Sequence, residues 1–121
     1  MSEQLVIGID GGGTHLRAAI ATTGGELVGI GEAGSGNYHD VGADVVRSNL
    51  ELAISRAWTA AMMLPHQAGA IFLGLGSIVT SEDKATICRI VRELSLVPDD
   101  NIGVDHDLRV ALMGGLAGRA A

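Results

Sequence analysis

The sequence predicts an α/β fold, with a mixed five-stranded sheet built in the order βββαβαβα and helices on both faces. Three observations carry this expectation. The first third of the chain holds three strand-length runs of β-branched and small apolar residues, separated by glycine turns. After residue 40 or so, amphipathic helical patterns alternate with short, almost wholly apolar runs, which is the sequence of a sheet that continues in parallel. The length of 121 residues suits a single domain.

Strand one is expected over Gln4 to Ile9 and strand two over Leu16 to Thr22. Between them stands Asp10-Gly11-Gly12-Gly13-Thr14. Glycine permits positive φ and, lacking Cβ, lets a ligand approach the main chain. Successive N–H groups in such a turn converge into an anion-binding concavity. Asp10 adds a carboxylate able to hold a hydrated Mg²⁺, and Thr14 a hydroxyl for a phosphate oxygen. Those parts suit a metal–polyphosphate ligand, although Asp-Gly and Gly-Gly also make ordinary hairpins. The turn is not a Walker A loop, since no Gly-Lys-Ser/Thr follows. Nor is it a dinucleotide fingerprint, because a strand, not a helix, comes next.

Gly24-Gly25 marks a second hairpin, and strand three runs from Glu26 to about Ala33 with Leu27, Val28 and Ile30 as its apolar side chains. Residues 33–40 read as a loop rich in turn formers. A helix is expected from about Gly42 to Leu64, with a stripe of Val46, Leu50, Ala53, Ile54, Ala57, Trp58 and Ala61, ended by Pro65. Ala70 to Gly76 reads as a buried parallel strand. Ser81 is the expected N-cap of a second helix whose inner side carries Ile87, Cys88, Val91 and Leu94. Asn101 to Asp105 is a fifth strand, and a third helical pattern begins at Asp107 and fades after Leu112. Hairpins followed by alternating helix and strand give a ribonuclease-H-like topology, shared by actin-like ATPases, sugar kinases and some nucleases.

Composition narrows the function. Hydrophobic residues make up 47% of the chain with only three aromatic rings, so the core is aliphatic. A net charge of −6 without a Lys/Arg cluster argues against nucleic acid or an anionic membrane as partner. One cysteine, Cys88, excludes an internal disulfide. The start Met1-Ser2-Glu3-Gln4 lacks the basic segment of a signal peptide and no run reaches ~20 apolar residues, so a cytoplasmic location is expected.

Ligand crevices in open α/β sheets lie beyond the carboxyl ends of the parallel strands. Asp10 and Asp107 should therefore face one cleft, with Asp107 alternatively a helix N-cap. Asn37 suits a sugar hydroxyl or N-acetyl group, or an ordinary turn; Gly76 and Ser77 line the cleft, or form a plain strand-to-helix loop. The four histidines have no metal-ligand spacing. In the nuclease alternative, Asp10, Glu51 and Asp107 would hold two metals, and the acidic chain counts against it.

The Gly8-Ile9-Asp10-Gly11-Gly12-Gly13-Thr14 segment resembles the first phosphate motif of the BadF-type ATPase and N-acetylglucosamine kinase-like family, within the actin, Hsp70 and sugar kinase superfamily. The loop ending in Asn37, the Leu73-Gly74-Leu75-Gly76 strand and Val104-Asp105-His106-Asp107 extend the resemblance along the chain. It implies an ATP-dependent kinase acting at the 6-hydroxyl of an amino sugar, with ATP and Mg²⁺ as cofactors. Asp10 would bind the Mg²⁺–phosphate group, with the amides of Gly11, Gly12 and Gly13 and the Thr14 hydroxyl on the phosphates. Asn37 would contact the sugar and Asp107 would take the proton from its hydroxyl. His106 replaces the family's usual Asn, and Gly76-Ser77 its commoner Ala-Gly. The iron–sulfur branch typically has a Gly-Ser-Thr turn and cluster cysteines, which this chain lacks. Family members also have a second lobe carrying the other phosphate turn and the adenosine site. The resemblance thus implies that residues 1–121 are an N-terminal lobe, inactive alone, which pairs with a C-terminal lobe or self-associates through the face that lobe would cover. A non-catalytic regulatory or assembly module of the same fold is the remaining alternative.

Overall fold

The computed structural model describes residues 4–12, 14–98 and 101–107. Its strands are Leu5–Gly11 (β1), Leu16–Thr22 (β2), Leu27–Ala33 (β3), Ala70–Leu75 (β4) and Ile102–Asp105 (β5). Its helices are Tyr38–Val41 (α1), Ala43–Ala60 (α2) and Ser81–Glu93 (α3). The five strands form one sheet in the order β3-β2-β1-β4-β5. β1–β2 and β2–β3 are antiparallel, and β1–β4 and β4–β5 are parallel. This is the ribonuclease-H-like arrangement expected, with β1 running alongside the parallel pair.

Alternation along each strand decides what is buried. Ile7 and Ile9, Leu16, Ala18 and Ile20, and Ile71, Leu73 and Leu75 form one continuous core with Val46, Leu50, Ala53, Ile54, Ala57 and Trp58 of α2 and Ile87, Ile90 and Val91 of α3. Each large aliphatic side chain buried there stabilises by about 1.5–3 kcal/mol. Both long helices therefore pack on one face. On the other, Ala70 and Phe72 form a small buried cluster with Val6. The third helical pattern, over Asp107 to Leu112, lies outside the described residues apart from Asp107 itself.

Four elements differ from expectation. On β3, Leu27 and Ile30 are exposed, and the face turned to α2 is glycine. A Cβ on Gly29 would strike the backbone of Ala57 and Ala61, and one on Gly31 that of Ala53 and Ala57. Helix α2 lies directly on the β3 main chain, with alanines at four-residue steps opposite glycines at two-residue steps.

Helix α2 also stops at Ala60, four residues short of the expected Leu64. Met62 N–H donates to Thr59 O and Met63 N–H to Trp58 O, a Schellman ending with Met62 at φ 60°. Trp58 is the last residue of the stripe to reach the core, and Met62 is 93% exposed, so a further turn would bury nothing. Met62→Gly removes the left-handed strain without losing packing. It should stabilise the fold by about 0.5–1 kcal/mol, read as a higher urea midpoint at unchanged slope.

Helix α3 is capped by Thr80 rather than Ser81, in a capping box with Asp83. The segment after β3 contains the single helical turn α1, capped by Asn37.

Candidate functional site

Three loops meet at the carboxyl ends of β1 and β4. Gly12 N–H donates to His15 O at 3.2 Å and closes the β1–β2 hairpin. Gly36 N–H, from the β3–α1 loop, donates to Gly12 O at 3.2 Å, and Gly76 N–H, from the β4–α3 loop, donates to Gly11 O at 3.1 Å. A Cβ on Gly11 or on Gly36 would press on the Leu16 side chain, which Leu75 backs, so that side chain would have to shift to admit it. Sequence positions 11, 36 and 76 are thereby tied into one platform.

The predicted residues fall on it in two groups. Asp10 lies within β1, one residue before its end, and is exposed. The register aligns Glu32, Arg17, Asp10, Gly74 and Asp105 in one row across all five strands. Arg17 donates from Nε and Nη2 to Glu32 at 3.1 and 3.0 Å. Gly12 carries no Cβ into open space, since nothing stands within 4 Å of where one would be. Thr14 is exposed, its Oγ1 3.2 Å from His15 Nδ1; Gly13 lies outside the described residues.

Asn37, Gly76 and Ser77 form the second group, in a cleft of about 680 Å³ that Tyr38, His39 and Asp83 also line. Asn37 Oδ1 accepts from His39 N–H at 3.0 Å, so the turn role and the cleft position coexist, and the Nδ2 group takes no part in the cap. Ser77 Oγ is buried and has no hydrogen-bond partner among the described residues. A buried hydroxyl left in that state on a cleft wall fits a ligand that supplies the partner.

Asp107 follows β5 by two residues and is exposed. Asp105 is differently placed. It accepts from His106 N–H at 2.8 Å, lies 2.6 Å from His106 Nδ1, and pairs with Lys84 at 3.4 Å. The His106 N–H chiefly, with the ring and Lys84, holds its carboxyl below the usual range against the effect of partial burial. Glu51 is not brought to this end. It lines a separate cavity with Trp58 and Pro65, near the start of β4. No group of three or more His, Cys, Asp or Glu among the described residues is placed to hold a metal.

Asp83 is the residue that sequence reasoning missed. It is 4% exposed. Oδ2 accepts from Val79 N–H and Thr80 N–H, each at 2.9 Å, while Oδ1 accepts from the Tyr38 hydroxyl and lies 3.0 Å from His39 Nε2. An ionised carboxylate only accepts, so Nε2 carries the proton in that contact. The Tyr38 bond first, then the two backbone N–H groups, depress the Asp83 pKa far below the ordinary carboxylate range. The same bond raises that of Tyr38. Thr80-Ser81-Glu82-Asp83 was the available signal, because a capping box needs an acidic or amide side chain three residues after the cap, and Ser81 has Lys84 there.

The sequence profile of the BadF/BadG/BcrA/BcrD ATPase family matches residues 7–121. The chain belongs to that family. Among curated proteins, it is 29% identical over 126 aligned residues to the N-acetyl-D-glucosamine kinase of Dictyostelium discoideum, covering 98% of this chain and 39% of that protein. Among solved structures, it superposes on one from Chromobacterium violaceum, provisionally named N-acetylglucosamine kinase. The TM-score is 0.64 at 20% identity, over 86% of this chain and 35% of that one. The likeness shows that this BadF-family chain shares the α/β fold of that structure, and the chain spans well under half the length of either relative. Among the described residues, no helix is long and apolar enough to cross a membrane.

Proposed function

We propose that residues 1–121 form the N-terminal lobe of an ATP-dependent amino-sugar kinase that phosphorylates the 6-hydroxyl of N-acetylglucosamine or glucosamine. The observation that carries this reading is the platform at the carboxyl ends of β1 and β4. There the Asp10-Gly11-Gly12 strand end, the loop leading to Asn37 and the Gly76-Ser77 loop are bonded together. Phosphoryl transfer requires little covalent chemistry from a protein, only positioning and charge neutralisation beside a well-placed base.

The residues fit Mg²⁺–ATP as a ligand that brings its own oxygens. One exposed strand-end carboxylate, a hydroxyl at Thr14 and glycine backbone facing open space suit a hydrated cation held mainly by phosphates. When bound, Mg²⁺–ATP supplies the phosphoryl group and neutralises the charge on it. Asp10 holds the metal–phosphate group, and the Gly11–Gly13 backbone and Thr14 hydroxyl cradle the phosphates. On the other side of the platform, Asn37 and the Ser77 hydroxyl orient the sugar against the Gly76 backbone. Asp107 accepts the proton of the reacting hydroxyl.

In this reading a second lobe, with the other phosphate turn and the adenosine site, comes from sequence beyond these residues, and this lobe alone has little or no kinase activity. The test has two steps. The reading frame is followed past the Ala121 codon, and the complete gene product is assayed for ATP-dependent phosphorylation of N-acetylglucosamine and glucosamine. A continuing frame with amino-sugar kinase activity is the expected result. A frame that encodes no second lobe, in a product that transfers no phosphate, would leave only the non-catalytic module.

A further inference from the structure

We infer that Asp83 is a positioning residue for the sugar site, a buried carboxylate that locks the loop carrying Asn37 onto the loop carrying Ser77. The inference rests on the reading of that cleft as the sugar site. Its physical basis is the division of labour between the two carboxylate oxygens. Oδ2 serves α3 alone, through Val79 and Thr80 N–H. Oδ1 takes no part in capping α3. It receives the Tyr38 hydroxyl and His39 Nε2, from residues more than forty positions away, and these two follow Asn37 directly.

Capping α3 needs only the first oxygen. Thr80 Oγ1 already receives Asp83 N–H at 3.1 Å, and a capping box is complete with those partners. The second oxygen is therefore spent on the other wall of the cleft. Helix α1 has four residues and fully buries none of them; Tyr38 alone of the four packs partly against the core. The helix is held by the Asn37 cap, by its contact with α2 and by this carboxylate. Bonds to an ionised, largely buried acceptor are stronger than neutral ones. Asn37, which would have to meet a sugar hydroxyl within a few tenths of an ångström, is one residue from the anchored Tyr38.

The experiment is performed on the complete gene product and separates the lock from the cap. Asp83→Asn and Tyr38→Phe each weaken the lock, the former by removing the charge and the latter by removing the Tyr38 bond without touching the capping box; Thr80→Ala removes the cap and leaves the lock. Amide hydrogen exchange over residues 35–41 reads the lock directly, with no substrate present. Exchange there should accelerate at least tenfold in Tyr38→Phe and Asp83→Asn and stay near wild type in Thr80→Ala. In steady-state assays the same two variants should raise KM for the amino sugar about tenfold, with KM for ATP within twofold.

Unchanged exchange over 35–41 in Tyr38→Phe overturns the lock. Faster exchange with an unchanged sugar KM overturns its role in the sugar site. Failure of the underlying reading looks different: Asn37→Ala then leaves the sugar KM unaltered, or no amino sugar is phosphorylated, and the exchange comparison still decides whether Asp83 holds the loop.

Discussion

Gly31→Ala should destabilise the protein by about 3 kcal/mol, and Ile30→Ala by less than about 1 kcal/mol, when both are compared by urea denaturation. The ranking inverts what side-chain size suggests, since the first change adds one methyl and the second removes three carbons. The reason is which side of β3 each residue occupies. A Cβ on Gly31 would meet Ala53 O, Ala57 N and Arg56 Cβ, and two of these three are helix backbone, which cannot rotate aside as a side-chain end could. Accommodating it means lifting α2 from the strand, along with the Ala53 and Ala57 contacts that seat the helix over the core. Ile30 is 41% exposed on the opposite side and leaves only a partly wetted gap when truncated. If Ile30→Ala proves the costlier change, β3 is turned over in solution and α2 packs on side chains as in a conventional sheet.

The same strand shows where sequence reasoning stops. β4 was legible because six consecutive apolar residues leave no question of facing, and all six are buried. The stripe of α2 was legible from its period, and Val46, Leu50, Ala53, Ile54, Ala57 and Trp58 all reach the core. On β3, hydrophobicity points to Leu27, Val28 and Ile30, because it scores side chains and a glycine has none to score; of these only Val28 packs against the core. The missing step was to match Gly29 and Gly31 with the small residues Ala53, Ala57 and Ala61 as a steric pair. At the candidate site, the strand-end and loop positions of Asp10, Asn37, Gly76 and Ser77 were legible from turn chemistry, since those are local. The ties among positions 11, 36 and 76, and the reach of Tyr38 and His39 to Asp83, exist only once the crossover from β3 to β4 brings distant loops to one edge.

Asp107→Asn in the complete gene product should lower kcat for amino-sugar phosphorylation by about 10²–10⁴-fold, with KM for ATP little changed, whereas Asp105→Asn should cost less than about tenfold. Two carboxylates lie two residues apart at the end of β5. Asp105 even shares the register row of Asp10. Position alone would favour it. Its partners argue the other way: His106 N–H, the His106 ring and Lys84 stabilise the ionised form and hold its pKa down. A carboxylate so held is a weak proton acceptor, and each partner must be displaced before a hydroxyl can approach. Those bonds instead pin the end of β5 and turn the chain at His106, which fixes where Asp107 emerges. In this arrangement Asp105→Asn acts through the position of Asp107. It should disturb KM for the sugar more than kcat, and Asp107→Asn the reverse. Should Asp105→Asn abolish turnover while Asp107→Asn retains it, the base is the strand residue in line with Asp10, and His106 and Lys84 become its proton relay rather than its anchor.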